Sequence, residues 1–526
     1  MDLESASRSE NAFLSDTLKK AKNIYFIGIK GTGMAALAEL LHKRLIHVSG
    51  SDHDEVFYTD DILRELGIPF YESFDAAHIK SGGLPDLVIH SAAYSPQDNV
   101  EMAEAQRLGI PLFKYSDALG AYSAGFDSTA IAGVHGKTTL TALAGTLLRG
   151  LNLPAQILAG SAVLGFGGRS TLNLGEKYFV AETCEYRRHF LSFFPQRIIL
   201  TNVESDHLDY FPTYKDIRDA FMELGNLLPP GGELVYCADD PGACEVALAL
   251  KKQKPEIILI PYGFSAAGEF KIETYEVRDE RLIMRLRGFQ DELRLRIPGR
   301  HTVLNTAGAV ALCALLVRKE FGKNDANMWD ADIWTEERRN GLVNALEAFN
   351  GSKRRSEILG QVNEILFMDD YGHHPTEIKT TLEGLKDFYP NRRIVLSFMS
   401  HTYTRTSMLL DEFAASFAGA DIIVLHKIYA SAREVYSGGV TGKTLFEKTR
   451  EILSDFDTDG TERVFYVEEY DNACGLLKDL LRPGDLFITM GAGDNWKLGK
   501  KLFDFFQNEA RAAFAVRSAA ILPLIE

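Results

Sequence analysis

Cysteine is sparse in this chain of 526 residues, and its five copies are scattered. Cys184, Cys237, Cys244, Cys313 and Cys474 form no CxxC pair, so a disulfide framework and a cysteine zinc site are both disfavoured and a reducing compartment is expected. Positive charge is also in deficit: 57 Lys and Arg against 73 Asp and Glu give a formal net charge of −16. Such a chain is a poor general binder of nucleic acid or of an anionic membrane, and any phosphate it handles must be met by local sites. No apolar run approaches the ~18 residues of a membrane span. The polar opening, MDLESASRSENAFLSDTLKKAKN, lacks the apolar segment of a secretory signal. Internal repeats and low-complexity tracts are missing. These absences together lead us to expect a cytoplasmic protein with neither a nucleic-acid nor a membrane partner.

What is present is ordinary globular material. Hydrophobic residues make up 46% of the chain, enough for substantial cores, and at roughly 100–200 residues per domain the length suggests about three of them. Short apolar runs alternate with helical stretches: Asn23–Gly28, Asp86–His90, Thr129–Gly133, Tyr178–Ala181, Arg197–Thr201, Glu364–Met368, Arg393–Leu396, Asp421–Leu425 and Asp485–Thr489. Continuous runs of this length suit buried parallel strands. The alternation predicts an α/β protein with open, doubly wound sheets. Boundaries are expected near 121–127 and 347–353. They divide the chain into an extension (1–20), an N-terminal domain (21–123), a central domain (124–347) and a C-terminal domain (348–526). Residues 265–297 read as hairpins on the central domain.

Gly133-Val134-His135-Gly136-Lys137-Thr138-Thr139 follows a strand and opens a helix. This is a shortened phosphate loop. Its glycines let backbone N–H groups wrap an oxyanion at a helix N-terminus, Lys137 reaches the terminal phosphates, and the Thr138 hydroxyl is suited to Mg²⁺. Such a loop does not by itself separate kinase, ATPase and ligase. Two later segments, Val180-Ala-Glu182-Thr-Cys-Glu185 and Thr201-Asn-Val-Glu204-Ser-Asp206-His207-Leu-Asp209, put carboxylates and a histidine at strand ends, where a metal-binding shelf would stand. A second glycine loop, Gly28-Ile-Lys30-Gly31-Thr32-Gly33-Met34, follows the first strand, with Asp52 about 20 residues on. Read alone it is a variant dinucleotide fingerprint, weakened by Lys30 at the middle glycine position.

The TNxExDHxD segment placed after GxxGKTT resembles the Mur ligase family, and Asp369-Asp370-Tyr371-Gly372-His373-His374-Pro375-Thr376-Glu377 resembles its alanine-adding members almost letter for letter. Further likenesses are Pro298–Asn305, Arg354-Arg355, His401–Thr406, Tyr429–Glu434 and Met490–Asp494, so the resemblance runs from about Ile24 to Gly499. It implies three-domain Mur ligase architecture: Rossmann-like N- and C-terminal domains around a central phosphate-loop domain. It also implies ATP and Mg²⁺, with UDP-N-acetylmuramate and an amino acid, L-alanine favoured, as partners in peptidoglycan precursor synthesis, hence in cell shape and division. A monomer or homodimer is expected. Residue by residue, Lys137, Glu182, His207, Asp370, His373 and Arg405 are implied for catalysis, and Thr138, Glu182 and His207 for metal. Gly133 to Thr139, Asn305, Arg354 and Arg355 are implied for ATP. Gly28, Gly31, Thr32, Gly33, Met34, Asp52 and Ser91 are implied for the UDP-sugar, and Tyr371, His373, His401 and Arg405 for the amino acid.

The chain departs from the family pattern at Lys30 (a Gly), Thr183-Cys184 (Ala-Asp), Thr302 (an Asn) and Thr402 (an Arg). By the resemblance, Lys30, Thr302 and Thr402 fall at UDP, adenine and amino-acid contacts, which leaves glycine or L-serine as alternatives to L-alanine. Three rival readings remain: a ligase attaching a whole tripeptide, a silent UDP-sugar-binding scaffold, and a nicotinamide dehydrogenase resting on Gly28–Gly33 alone.

Overall fold

The computed structural model describes residues 13–207, 210–322, 327–430, 436, 438–453 and 462–521, the stretch 513–521 as backbone only. Asp209, Arg433 and Glu434 of the motifs above, residues 1–12 of the extension and the tail 522–526 lie outside the described residues. Residues 13–20 are helical. The chain forms two compact units. The first is Met1–Thr274 with Met284–Leu293 and Leu304–Ser352; the second is Tyr275–Ile283 with Arg294–Val303 and Lys353–Glu526.

The first unit contains two sheets. Strands β1 (Asn23–Ile27), β2 (His47–Ser51), β3 (Phe70–Tyr71), β4 (Leu87–His90) and β5 (Leu112–Lys114) pair in parallel in the order β3-β2-β1-β4-β5. Ile24, Phe26, Leu87 and Ile89 are wholly buried, as strands covered on both faces require. Strand order reverses at β1. The crevice beyond its carboxyl end is therefore where an open α/β sheet takes its ligand, and the Gly28 loop lies there.

The second sheet repeats the device with β6 (Asp127–Ala132), β7 (Ala155–Val163), β8 (Arg169–Asn173), β9 (Tyr178–Glu182), β10 (Arg197–Leu200), β11 (Glu233–Cys237) and β12 (Ile258–Tyr262), ordered β12-β11-β10-β6-β9-β7-β8. All pairs are parallel except β7 with β8. Here β6 stands at the switch point. Its register sets Ile131 beside Glu182 and Ala132 beside Leu200, so the ends of β9 and β10 flank the loop leaving β6.

The expected β-rich stretch forms a separate sheet of β13 (Ile272–Arg278), β14 (Arg281–Leu286) and β15 (Leu293–Leu295). The helix Arg300–Phe321 is long and apolar enough to cross a membrane. Its Ala307, Val310, Ala311, Leu312 and Leu316 are instead wholly buried in the protein.

In the second unit β16 (Glu357–Val362), β17 (Ile365–Asp370), β18 (Ile394–Phe398), β19 (Ile422–Leu425), β20 (Val464–Tyr466) and β21 (Leu486–Met490) are ordered β16-β17-β21-β18-β19-β20, parallel except at β16. The motif after β17 is also a helix start. His374 caps the helix Pro375–Phe388, Pro375 occupies its first turn, and Glu377 bonds back to the His374 N–H. Within one motif, therefore, His374, Pro375 and Glu377 build the start of a helix.

Candidate active site

The phosphate loop is held open by its neighbours. Gly133 and Gly136 both have positive φ, +134° and +83°. A Cβ on Gly133 would run into the Thr201 hydroxyl and the Asn202 backbone, and one on Gly136 would come within 2.7 Å of Asn305 Oδ1. Thr201 Oγ1 donates to the His135 carbonyl (2.6 Å), Asn202 Oδ1 accepts from the His135 N–H (2.8 Å), and the Asn202 carbonyl accepts from the Val134 N–H (3.3 Å). His135 Nε2 lies 3.0 Å from Glu204 Oε1. The helix Lys137–Gly150 then begins, presenting its unbonded N–H groups and the positive end of its dipole to the loop.

Lys137 Nζ donates to the carbonyls of Gly133 (2.5 Å) and Val134 (3.0 Å) and to Glu185 Oε2 (2.9 Å). Burial alone would lower its pKa, but Glu185 and Glu182 more than reverse that, so it stays a cation. Glu185 is itself buried, which raises its pKa. Lys137 and His207 outweigh the burial and hold the carboxyl below its ordinary value. His207 Nε2 lies 3.3 Å from Glu185 Oε1. Its backbone has φ +52°, its N–H donates to Asp206 Oδ1 at 2.7 Å, and its ring sits 4.9 Å from that of Tyr186. Glu182 Oε2 accepts from the Gly160 N–H (2.7 Å). Cys184 is exposed as a residue, yet desolvation of its thiol, with Glu185 adding negative charge, pushes its pKa up to about 12. The thiol is therefore neutral and a weak nucleophile.

The other glycine loop is built similarly. A Cβ on Gly28 (φ +87°) would fall 2.9 Å from the Tyr94 ring and 3.0 Å from Ser91 Cβ, and one on Gly33 would fall 2.6 Å from the Tyr115 hydroxyl. Asp52 Oδ2 accepts from the Lys30 N–H (2.7 Å), so the acid after β2 braces the loop backbone. The Tyr58 hydroxyl donates to Thr32 Oγ1 (3.3 Å) at the start of the helix Thr32–Lys43. Two expectations change here. The Met34 side chain is buried in the apolar core, which leaves only its backbone for a ligand. The Lys30 side chain, expected at a UDP contact, is wholly buried, with Nζ 3.2 Å from buried Asp60 Oδ2, 3.5 Å from Glu72 Oε1 and 3.1 Å from the Glu55 carbonyl. A glycine position has become an internal ion pair. Asp60→Asn is expected to cost about 2 kcal/mol in urea unfolding, because the buried ammonium is then left with the Glu55 carbonyl and the half-exposed Glu72. Adding Lys30→Met should recover most of that loss, and a double variant no more stable than the single one would refute the pairing.

In the second unit, Arg354 Nε bonds Asp369 Oδ2 (2.9 Å), and its Nη2 donates to the carbonyls of Gly491 (2.6 Å) and Gly493 (3.3 Å). Asp370 accepts from the N–H groups of Ser356 and Gly372, each at 2.7 Å. Arg355 Nη1 bonds Glu377 Oε1 (3.3 Å), and both arginines lie over the Tyr371 ring. The rings of His373 and His401 meet edge-on at 5.6 Å, and Arg405 Nη1 lies 3.2 Å from His401 Nδ1. The His301 pKa is lowered, chiefly by burial, with Asp370 opposing. Thr402 adopts φ +67°, ψ 141°, a region that a β-branched residue rarely enters.

Three family models match in order along the chain: the Mur ligase family catalytic domain over residues 23–127, the Mur ligase middle domain over 131–313 and the Mur ligase glutamate ligase domain over 354–493. The chain belongs to the Mur ligase family. It is 50% identical to a UDP-N-acetylmuramate–L-alanine ligase of Treponema pallidum over 92% of this chain and 97% of that protein. The enzyme of the same name from Borreliella burgdorferi is 35% identical over 90% and 97%. Among solved structures, UDP-N-acetylmuramate-alanine ligase from Thermotoga maritima aligns with a TM-score of 0.69 at 24% identity, covering 93% of this chain and 99% of that one. A murein peptide ligase from Psychrobacter arcticus gives 0.62 at 22%, with the same coverage. These two likenesses describe the fold.

In this Mur ligase the loop residues Gly133–Thr139, Asn305 and the set Lys137, Glu182 and His207 gather around one switch point. Gly28, Gly31, Thr32, Gly33, Asp52 and Ser91 gather around another. Asp370, Tyr371, His373, His401 and Arg405 lie at or after the carboxyl ends of β17 and β18, and Arg354 and Arg355 lead into the antiparallel β16. Sequence reasoning passed over Glu185, Thr201 and Asn202 as individual functional residues, although each stood in a quoted motif. Tyr94 lies three residues after Ser91, in the loop that follows β4. Tyr115 carried no sequence signal.

Proposed function

We propose that this Mur ligase uses ATP to join L-alanine to the lactyl carboxylate of UDP-N-acetylmuramate, opening the peptide of a peptidoglycan precursor. The supporting observation is the 50% identity to alanine-adding ligases over nearly the whole chain, with a glycine loop at the switch point of each of the first unit's two sheets. A carboxylate oxygen is a poor leaving group. Its attack on the γ-phosphorus expels ADP and makes an acyl phosphate. The alanine amine then adds to the acyl carbon and loses a proton, and phosphate departs with its bonding electrons.

The protein's task is chiefly positioning and charge neutralisation, since both reactants are anions. Lys137, kept cationic by its carboxylate neighbours, opposes that repulsion. The helix N-terminus behind Gly136 adds donors for phosphate oxygens. By the resemblance the Thr138 hydroxyl, the Glu182 carboxylate and the His207 imidazole would hold Mg²⁺, and two oxygen donors with one nitrogen suit that ion. Bound there, the ion would neutralise phosphate charge. The loop Gly28–Gly33, with Asp52 bracing it and Ser91 beside it, is the proposed pyrophosphate cradle. In the second unit, Arg354, Arg355 and Asp370 are assigned to nucleotide, and Tyr371, His373, His401 and Arg405 to the amino acid.

Phosphate release from Mg-ATP should require both UDP-N-acetylmuramate and L-alanine. Glycine, L-serine and the L-Ala-γ-D-Glu-diamino-acid tripeptide, tested in parallel, should be poor acceptors. Preference for one of them would move the substrate and implicate Thr402, and no release with any acceptor would overturn the enzyme reading.

A further inference from the structure

We propose that Glu185 is a positioning residue that fixes the His207 imidazole as its Nε2–H tautomer, which would leave the Nδ1 lone pair available to a metal, and that it couples His207 to Lys137. The inference rests on the functional reading above and assigns a role that the resemblance does not supply.

The two glutamates of the shelf divide the work. Glu182 gives one oxygen to the Gly160 N–H and keeps the other. Glu185 has both oxygens engaged: Oε2 by Lys137 Nζ at 2.9 Å and Oε1 by His207 Nε2 at 3.3 Å. Its side chain is 4% exposed. An ionised carboxylate only accepts hydrogen bonds, so the imidazole nitrogen facing it must carry the proton. In the neutral ring the lone pair is then on Nδ1. Metal-bound histidines generally present their other ring N–H to a carboxylate, which fixes tautomer and orientation. Asp206 competes poorly for the same nitrogen, since its Oδ2 is 3.9 Å away. The Tyr186 ring and the positive φ of His207 restrict the imidazole's approach further.

One carboxylate thus spans the lysine that meets the terminal phosphates and the histidine that would meet the metal. Glu185→Gln breaks the arrangement with little change of volume. An amide oxygen turned toward His207 leaves its NH₂ facing the Lys137 ammonium, and the opposite turn leaves it facing the imidazole N–H. Two measurements test this on the full-length protein: ¹⁵N NMR of labelled histidine side chains, and Mn²⁺ binding by EPR with a non-hydrolysable ATP analogue. Wild type should show His207 as the Nε2–H tautomer. Glu185→Gln should show mixed tautomers and roughly 10–100-fold weaker Mn²⁺ binding. Glu185→Asp, which keeps the charge on a shorter arm, should fall between and carries the test if the glutamine variant melts early. An Nδ1–H tautomer in wild type, or Mn²⁺ affinity within about threefold of wild type in the glutamine variant, would overturn the inference alone. A wild type that takes up no Mn²⁺ with the analogue would overturn the functional reading as well.

Discussion

Lys137→Met is expected to lower ATP-dependent phosphate release by about 10³-fold, the scale of losing one preorganised charge-stabilising donor at a reacting oxyanion. The reason lies in what surrounds the ammonium. Two carboxylates, Glu185 and Glu182, act on it across a buried space, and its three donors are directed at two loop carbonyls and Glu185. Methionine preserves much of the side-chain volume but takes from both carboxylates the cation beside them at the start of the helix Lys137–Gly150. The variant should therefore lose nucleotide affinity as well as turnover. UDP-N-acetylmuramate binding should be retained, because the proposed cradle, the Gly28 loop, is braced by Asp52 and approached by Tyr94, which follow β2 and β4 of the other sheet. Calorimetric titration with the sugar nucleotide alone and phosphate release with all three substrates separate these effects. Activity within tenfold of wild type would remove Lys137 from its assigned role.

Much of this site was legible because a loop at a switch point needs residues of particular kinds. Gly133 and Gly136 are required by positive φ and by close approach of Thr201 and Asn305, so a strand followed by GVHGKTT announces both the loop and its place in the sheet. The apolar cores of β6, β10 and β17, such as Ala130–Ala132, Ile198–Leu200 and Ile365–Met368, are buried on both faces, and alternation with helices then predicts parallel order. The partners of charges were not legible. Lys30 occupies a loop position and reads as a ligand contact. Its buried partner Asp60 lies 30 residues on, and nothing in the spacing marks the pair. Glu182 and Glu185 are three residues apart with similar local surroundings in sequence. Which one bonds Lys137 depends on how the chain turns after β9, through Tyr186 to Ser192, where Arg187 and Arg188 both take positive φ. Thr201 and Asn202 were read as part of a metal motif, whereas their hydrogen bonds brace the phosphate loop, a contact made by a neighbouring strand 66 residues downstream.

Arg354→Met is expected to cost about 3–5 kcal/mol of stability at neutral pH, the usual result of removing one partner of a buried ion pair. Among the described residues Asp369, 2% exposed, would keep the Thr489 hydroxyl (2.7 Å) as its side-chain partner, and the carbonyls of Gly491 and Gly493 would lose a donor. The sign of the pH dependence follows from Asp369. Burial raises its pKa above the ordinary 3.8, and Arg354 already offsets part of that rise. A carboxyl with a raised folded pKa binds its proton more readily in the native than in the unfolded state. Its contribution favours folding below the unfolded value and is lost as pH climbs to the folded one. Without Arg354 the folded pKa climbs further and the window widens upward. The variant's deficit should accordingly shrink as pH falls from 7.5 toward 5, opposite to the loss expected for a carboxylate stabilised by its partner. Arg354→Lys restores charge but not the planar fork that reaches Asp369 and two carbonyls together, so it should recover only part of the deficit. Urea unfolding of wild type and both variants at the two pH values decides the matter. A deficit below about 1 kcal/mol, or one equal at both pH values, would show that Asp369 is not held ionised by Arg354.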